Sequence, residues 1–217
     1  MKLVIFDFDG LLVNTEKVIY QSLKKLFKKN NYELVWEYYC KYLGMPVQEA
    51  LPHYFQDFPI TKTYDEFVAL RDKVVAGELE RSLQLMSGAI ELLTYLKKQG
   101  ITQVVASSGQ KQYVKNAMDR LDIMKYFLEI ITSEDVKRNK PHPDIFLKVL
   151  ARTKCNPEDA LVIEDSPHGI EAAYRAGIKS IAVPTKGLDI KKFNNAHVVS
   201  SSLYEVKEML YSNKIHF

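Results

Sequence analysis

The chain has 217 residues, 47% of them hydrophobic and 26% charged, with a formal net charge of +3. That length and apolar fraction suit one domain carrying a smaller insert, and they exclude a disordered or fibrous chain. Two cysteines, Cys40 and Cys155, are too few for a disulfide framework, no His or Cys cluster has zinc spacing, and the paired lysines (Lys24-Lys25, Lys28-Lys29, Lys97-Lys98, Lys191-Lys192) accompany no nucleic-acid motif.

No stretch approaches the ~18 apolar residues of a membrane span. The apolar run Leu3–Phe6 meets Asp7 at once. It is shorter than the roughly 7–15 residues at the heart of a secretory leader. A soluble cytoplasmic protein is expected, with neither a membrane nor a nucleic acid as partner.

Along the chain, short β-branched runs alternate with amphipathic stretches. The runs Leu3–Phe6, Gln103–Ala106, Glu129–Thr132, Ala160–Ile163, Ser180–Val183 and His197–Val199 read as strands buried in a parallel sheet. Helices are predicted over Ala89–Lys98, Gln110–Leu121, Asp144–Thr153, Gly169–Ala176 and Leu203–Tyr211. Gly100 and Gly177 follow two of these, where a left-handed cap is expected. The alternation implies an α/β fold, a Rossmann-like doubly wound parallel sheet with right-handed crossovers.

One region departs from the alternation. Glu16–Lys29, Val35–Leu43, Val47–Phe55 and Tyr64–Ser82 read as helices, punctuated by Pro46, Pro52 and Pro59, with no buried strand among them. The expected organisation is a core of residues 1–15 and 83–217 and an all-helical cap domain of residues 16–82 inserted after the first strand. An insert at the carboxyl end of a central strand is suited to excluding water and selecting substrate.

The chemistry is expected at strand ends. Val4-Ile5-Phe6-Asp7-Phe8-Asp9-Gly10 brings two carboxylates to the end of an apolar strand, on one face if the chain stays extended. Such acids are costly there unless a hard cation compensates them. Gly10 permits a sharp turn with backbone N–H groups open to an anion. Ser107 and Ser108 close the second long strand ahead of a helix, a placement suited both to capping and to phosphate oxygens. Lys140 lies on a loop stiffened by Pro141 and Pro143, where it can act as a point charge on a phosphoryl group. His142 between the prolines reads as structural. Glu164 and Asp165 end the strand Leu161-Val162-Ile163 and could complete a metal site with Asp7 and Asp9.

Taken together, Asp7-x-Asp9-Gly10, Ser107, Lys140 and Glu164-Asp165 resemble the four motifs of the haloacid dehalogenase superfamily. Phe6 to Glu16, Lys140-Pro141-x-Pro143-x-x-Phe146 and Val162-Ile163-Glu164-Asp165-Ser166-x-x-Gly169 are similar to its phosphoglucomutase-like phosphatase branch. The resemblance implies Mg²⁺-dependent hydrolysis of a small phosphorylated metabolite by a monomer. Asp7 would be the nucleophile and Asp9 the acid and base. Gly10, Ser107, Ser108 and Lys140 would hold phosphate. Asp7, Asp9 through its carbonyl, and Asp165 would bind Mg²⁺, with Glu164 in or near the outer shell.

The same branch includes β-phosphoglucomutases, so a sugar-phosphate mutase is the alternative enzyme, and a non-enzymatic regulator on the same fold is a third reading. Those mutases carry basic groups where this chain has Ile19, Leu43, Val47 and Gln110, which favours hydrolysis. Asn14 and Ser87 are further departures, neither disabling. Glu16, Tyr20, Tyr42, Gly44, Met45, Gln110 and Lys111 are the expected substrate selectors.

Overall fold

The computed structural model describes residues 1–29, 31–43, 45 and 47–212. Six strands form one parallel sheet: β1 (Leu3–Phe6), β2 (Thr102–Ser107), β3 (Glu129–Thr132), β4 (Ala160–Glu164), β5 (Lys179–Ala182) and β6 (Val198–Val199). Their spatial order is β3-β2-β1-β4-β5-β6. The order reverses direction beside β1, which pairs with β2 on one side and β4 on the other. Such a switch point opens a crevice at the carboxyl ends of the central strands.

All four residues of β1 are buried, as a strand covered on both faces requires. Leu3, Ile5, Val104, Ala106, Ile131 and Val162 pack against α7 (Asp144–Thr153) and α8 (Pro167–Arg175). The other face carries α5 (Ala89–Lys98): Gln103, one residue out of phase with Val104, donates from Nε2 to the Leu93 carbonyl of that helix. The α5 helix also packs against α9 (Leu203–Tyr211). On the β3 side, α6 (Lys111–Arg120) completes the set. Gly100 and Gly177 take φ of 70° and 72° after α5 and α8, the left-handed caps their positions called for.

The chain divides into two compact units, Met1–Asn14 with Gln84–Phe217, and Thr15–Leu83. The second holds only helices among its described residues: α1 (Thr15–Lys28), α2 (Trp36–Cys40), α3 (Val47–Asp57) and α4 (Tyr64–Ser82). An aromatic cluster of Phe27, Tyr38, Tyr54, Phe58 and Phe67 fills it, with ring centroids about 5–6 Å apart. Thr63 and Glu66 form a reciprocal capping box at the start of α4.

The helix read over Val47–Phe55 is present as Val47–Asp57 with Pro52 inside it, buried Leu51 and Tyr54 anchoring it on both sides of the missing N–H bond. Two expectations change here. The helix expected over Val35–Leu43 is regular only for Trp36–Cys40. Lys41, Tyr42 and Leu43 continue it as tighter turns, each N–H reaching the carbonyl three residues back. The helix expected from Gly169 starts two residues earlier at Pro167, since Ser166 caps it through the Gly169 N–H. Pro46 and Gly44 lie outside the described residues.

Candidate active site

The register of the sheet sets the site. Phe6 is level with Val105 of β2 and Ile163 of β4, so Asp7, Ala106 and Glu164 follow at one height on three adjacent strands. Asp7 N–H donates to the Ile163 carbonyl at 3.0 Å, holding the residue in place just past the strand. Lys140 comes in from the loop before α7, where the Lys140–Pro141 peptide is cis.

The Lys140 ammonium donates to Asp7 Oδ1 at 2.6 Å, Glu164 Oε1 at 2.7 Å and the Ala106 carbonyl at 2.9 Å. An ammonium has three protons, and these three acceptors use them all. The Lys140 side chain is 4% exposed and that of Glu164 0%, so both charges are out of water. Glu164 Oε2 accepts from the Ser166 N–H and hydroxyl, each at 2.9 Å. Both Glu164 oxygens are thus engaged by protein donors. Burial would lower the Lys140 pKa, but Asp7 and Glu164 more than reverse this and raise it. For Asp7, burial dominates and pushes the carboxyl up to about 8 against the pull of Lys140, with Glu164 and Asp9 adding to the rise.

Asp7, Glu164 and Asp165 are all buried, and each offers an oxygen within 4.8 Å of the others. One ammonium does not balance three buried carboxylates. The donor set is all oxygen, and Gly10 (φ +82°) clears its edge: a Cβ there would lie 2.1 Å from Asp165 Oδ2. These features fit a hard divalent cation. Thr185, which the sequence reading did not single out, donates its hydroxyl to Asp165 Oδ2 at 3.2 Å.

The Asp9 carboxylate stands outside that cluster. The strand ends at Phe6, and Gly10 N–H turns back to the Val13 carbonyl, so Asp7 and Asp9 do not share the alternation of a continuing strand. Asp9 Oδ1 accepts from the Tyr113 hydroxyl at 2.8 Å, and its Oδ2 lies 3.4 Å from Ser107 Oγ. Ser107 is fully buried, and its Oγ accepts from the Gly109 N–H at 2.9 Å, whereas Ser108 is exposed. Lys111 pairs with Asp135 at 2.9 Å, and Gln110 caps α6 by position without a side-chain bond.

Gly169 has a reason the pattern of residues alone does not reveal. A Cβ on it would fall 1.7 Å from Glu164 Oε1 and 1.9 Å from Cδ. Propensity favours alanine in a helix by about 1 kcal/mol. Sterics oppose it, because Glu164 is tied to Lys140 and Ser166. We expect Gly169→Ala to destabilise the protein by roughly 1–3 kcal/mol, the cost of overpacking. Thermal unfolding measures this, and a midpoint at or above wild type would show that Glu164 moves without penalty.

In the helical unit, a cavity of about 330 Å³ is lined by Ile19, Leu43 and Val47 together with Glu16, Tyr39 and Arg71. Tyr39 donates its hydroxyl to Glu16 Oε2 at 2.6 Å, and Arg71 pairs with Asp72 at 2.7 Å. The three positions where related mutases are basic are therefore apolar cavity wall here. No helix among the described residues is long and apolar enough to cross a membrane.

A parallel sheet with a buried carboxylate–ammonium centre at its switch point defines an α/β enzyme. The chain belongs to the haloacid dehalogenase-like hydrolase family, which matches residues 4–183, and falls in its phosphatase branch. A phosphorylated carbohydrates phosphatase of Thermotoga maritima is 33% identical over 184 residues, covering 83% of this chain and 84% of that protein. The validoxylamine A 7'-phosphate phosphatase of Streptomyces hygroscopicus subsp. limoneus is 29% identical over 206 residues, covering 95% and 96%. Among solved structures, a Thermotoga maritima protein provisionally named a β-phosphoglucomutase superposes with a TM-score of 0.83 at 28% identity, covering 98% of this chain and 99% of its own.

Proposed function

We propose that the protein hydrolyses a small phosphomonoester, a sugar, polyol or similar metabolite phosphate, through an aspartyl phosphate on Asp7. The observation that carries this reading is Lys140, which bridges Asp7 and Glu164 at the carboxyl edge of the sheet. That bridge fixes one Asp7 oxygen and places a permanent cation beside it. Phosphoryl transfer asks little more of a protein than such positioning and charge.

An Asp7 oxygen forms the bond to phosphorus as the ester P–O bond breaks, and Asp9 gives its proton to the departing alcohol. In the second half, Asp9 takes a proton from water, the water oxygen bonds to phosphorus, and the P–O bond to Asp7 breaks. Ser107 and Ser108 are assigned to the phosphoryl oxygens as hydrogen-bond partners. Lys140 acts on them through its charge, because its three protons are already taken. Gly10, whose N–H goes to the Val13 carbonyl, contributes the open turn beside them. Mg²⁺ would be held by the Asp7 carboxylate, the Asp9 carbonyl and Asp165, with Glu164 in the outer shell, and when bound it supplies positive charge for those oxygens. Glu164 serves Lys140, to which its Oε1 is bonded.

The names of the two phosphatase relatives support a polyhydroxylated phosphate as substrate. Mutase activity is the second reading, favoured by the provisionally named Thermotoga maritima structure. Against it stand Ile19, Leu43 and Val47: a mutase must grip a second phosphate, and these positions of the cavity wall offer it no charge.

The test is phosphate release from p-nitrophenyl phosphate and a panel of sugar and polyol phosphates, with Mg²⁺ and with EDTA. Release is expected with Mg²⁺, to fall to background in EDTA and to return when Mg²⁺ is restored. Undiminished release in EDTA would overturn the metal assignment. No release on any ester by folded protein, with turnover of β-glucose 1-phosphate on adding a sugar bisphosphate, would establish the mutase instead.

A further inference from the structure

Asp9 sits on a turn rather than in a strand, and a carboxylate on a turn is free to rotate unless something outside the turn holds it. The Tyr113 hydroxyl does so, donating to Asp9 Oδ1 at 2.8 Å from the first turn of α6. The same ring stands edge-on to Phe8, centroids 6.2 Å apart and planes at 78°, so it braces the residue between the two aspartates as well. Phe8 is itself fully buried.

The turn that carries Tyr113 is anchored from the neighbouring loop. Lys111 N–H donates to Glu134 Oε1 at 3.1 Å, and its ammonium donates to both Asp135 oxygens at 2.9 and 3.0 Å. Asp135 is held in turn by the Thr132 N–H at 2.9 Å, and the Ser133 hydroxyl donates to the Gly109 carbonyl at 3.1 Å. Gly109 lets this turn approach the acid: a Cβ on it would come within 3.3 Å of Asp9 Oδ2.

We propose that Tyr113 is a positioning residue, which aims the Asp9 carboxyl at the leaving-group oxygen through a hydrogen bond to Oδ1. The inference rests on the assignment of Asp9 as the general acid. A proton delivered in the transition state matters most when the departing oxygen is strongly basic, as an alkoxide is, and least when it is a stable phenolate. An acid held at the wrong angle is therefore expected to betray itself as a selective loss on alkyl esters.

The experiment compares kcat/KM on an alkyl phosphate with kcat/KM on p-nitrophenyl phosphate, for wild type, Tyr113→Phe and Asp9→Asn. This constant reports the first phosphoryl transfer. The ratio of the two esters within one preparation is independent of how much of the variant is folded. Phenylalanine keeps the ring against Phe8 and removes only the donor. The alkyl-to-aryl ratio is expected to fall about tenfold in Tyr113→Phe, the worth of one hydrogen bond lost at the acid, and further in Asp9→Asn. An unchanged ratio in Tyr113→Phe beside a reduced one in Asp9→Asn would overturn the positioning role and leave Asp9 as the acid. A ratio unchanged in both would remove the acid assignment itself, and the role of Tyr113 with it.

Discussion

Asp7→Asn is expected to lower phosphate release by roughly 10⁴- to 10⁶-fold, the scale of losing a nucleophile, with the fold intact. An amide oxygen is too weak a nucleophile to open a phosphate ester, and no neighbour can take its place. Glu164 is held on both oxygens by Lys140 and Ser166, and the Asp9 carboxylate faces Tyr113 rather than the Lys140 ammonium. Stability moves the other way. Burial, with Lys140 opposing, pushes the Asp7 carboxyl up to about 8, so its charged form is expensive in this pocket. Asparagine has the same shape without the charge, and Lys140 keeps Glu164 and the Ala106 carbonyl as partners. In EDTA the variant should therefore unfold at the wild-type temperature or above it. Retained turnover, measured by phosphate release on the same ester panel, would remove the nucleophile assignment.

What the sequence made legible follows from how local each signal is. Leu3–Phe6 and Glu129–Thr132 are strands to the residue, and Ala89–Lys98, Asp144–Thr153, Tyr64–Ser82 and Leu203–Tyr211 are helices to the residue, because periodicity and caps lie within each segment. Asp7, Lys140, Glu164 and Asp165 could be picked out for a similar reason: acids that end buried strands, and a lysine on a proline-stiffened loop, are conspicuous where they stand. Tyr113 gave no such signal. One tyrosine in an amphipathic helix is ordinary, and its bond to Asp9 spans 104 residues of chain. Thr185 is hidden in the same way, meeting Asp165 only because β4 and β5 are neighbours in the sheet. The pairing of Glu164 with Lys140 also had to come from the fold. The sequence offered Glu164 as part of a metal site, in or near the outer shell, and the structure adds that both of its oxygens accept from protein donors. Pro52 did not hide the helix read over Val47–Phe55, since a proline's local preference to end a helix yields when buried side chains flank it.

Lys140→Met should be the more damaging change to the molecule as a whole. Methionine fills most of the volume and keeps contact with the Phe146 ring, over which the ammonium lies at 5.3 Å. What disappears is the one cation that, among the described residues, pairs with both Asp7 and Glu164, in a place where Glu164 is 0% exposed. Breaking a buried ion pair from one side costs about 3–5 kcal/mol, because the partner's charge stays behind without compensation. Turnover should fall about 10²- to 10³-fold in kcat, the usual consequence of removing one preorganised group that stabilises transition-state charge. The two losses have different origins and can be separated. In Lys140→Met with Glu164→Gln, the stranded carboxylate becomes a neutral amide that still accepts from Ser166. That double variant should recover most of the lost unfolding temperature and none of the lost rate. Recovery of both would mean that Lys140 acts only as a structural counter-ion to Glu164. Recovery of neither would mean that the cost of the single change lies in packing rather than charge. The predicted split, stability restored and catalysis not, is what a lysine serving two carboxylates with two different purposes requires: one held for the fold, the other held for chemistry.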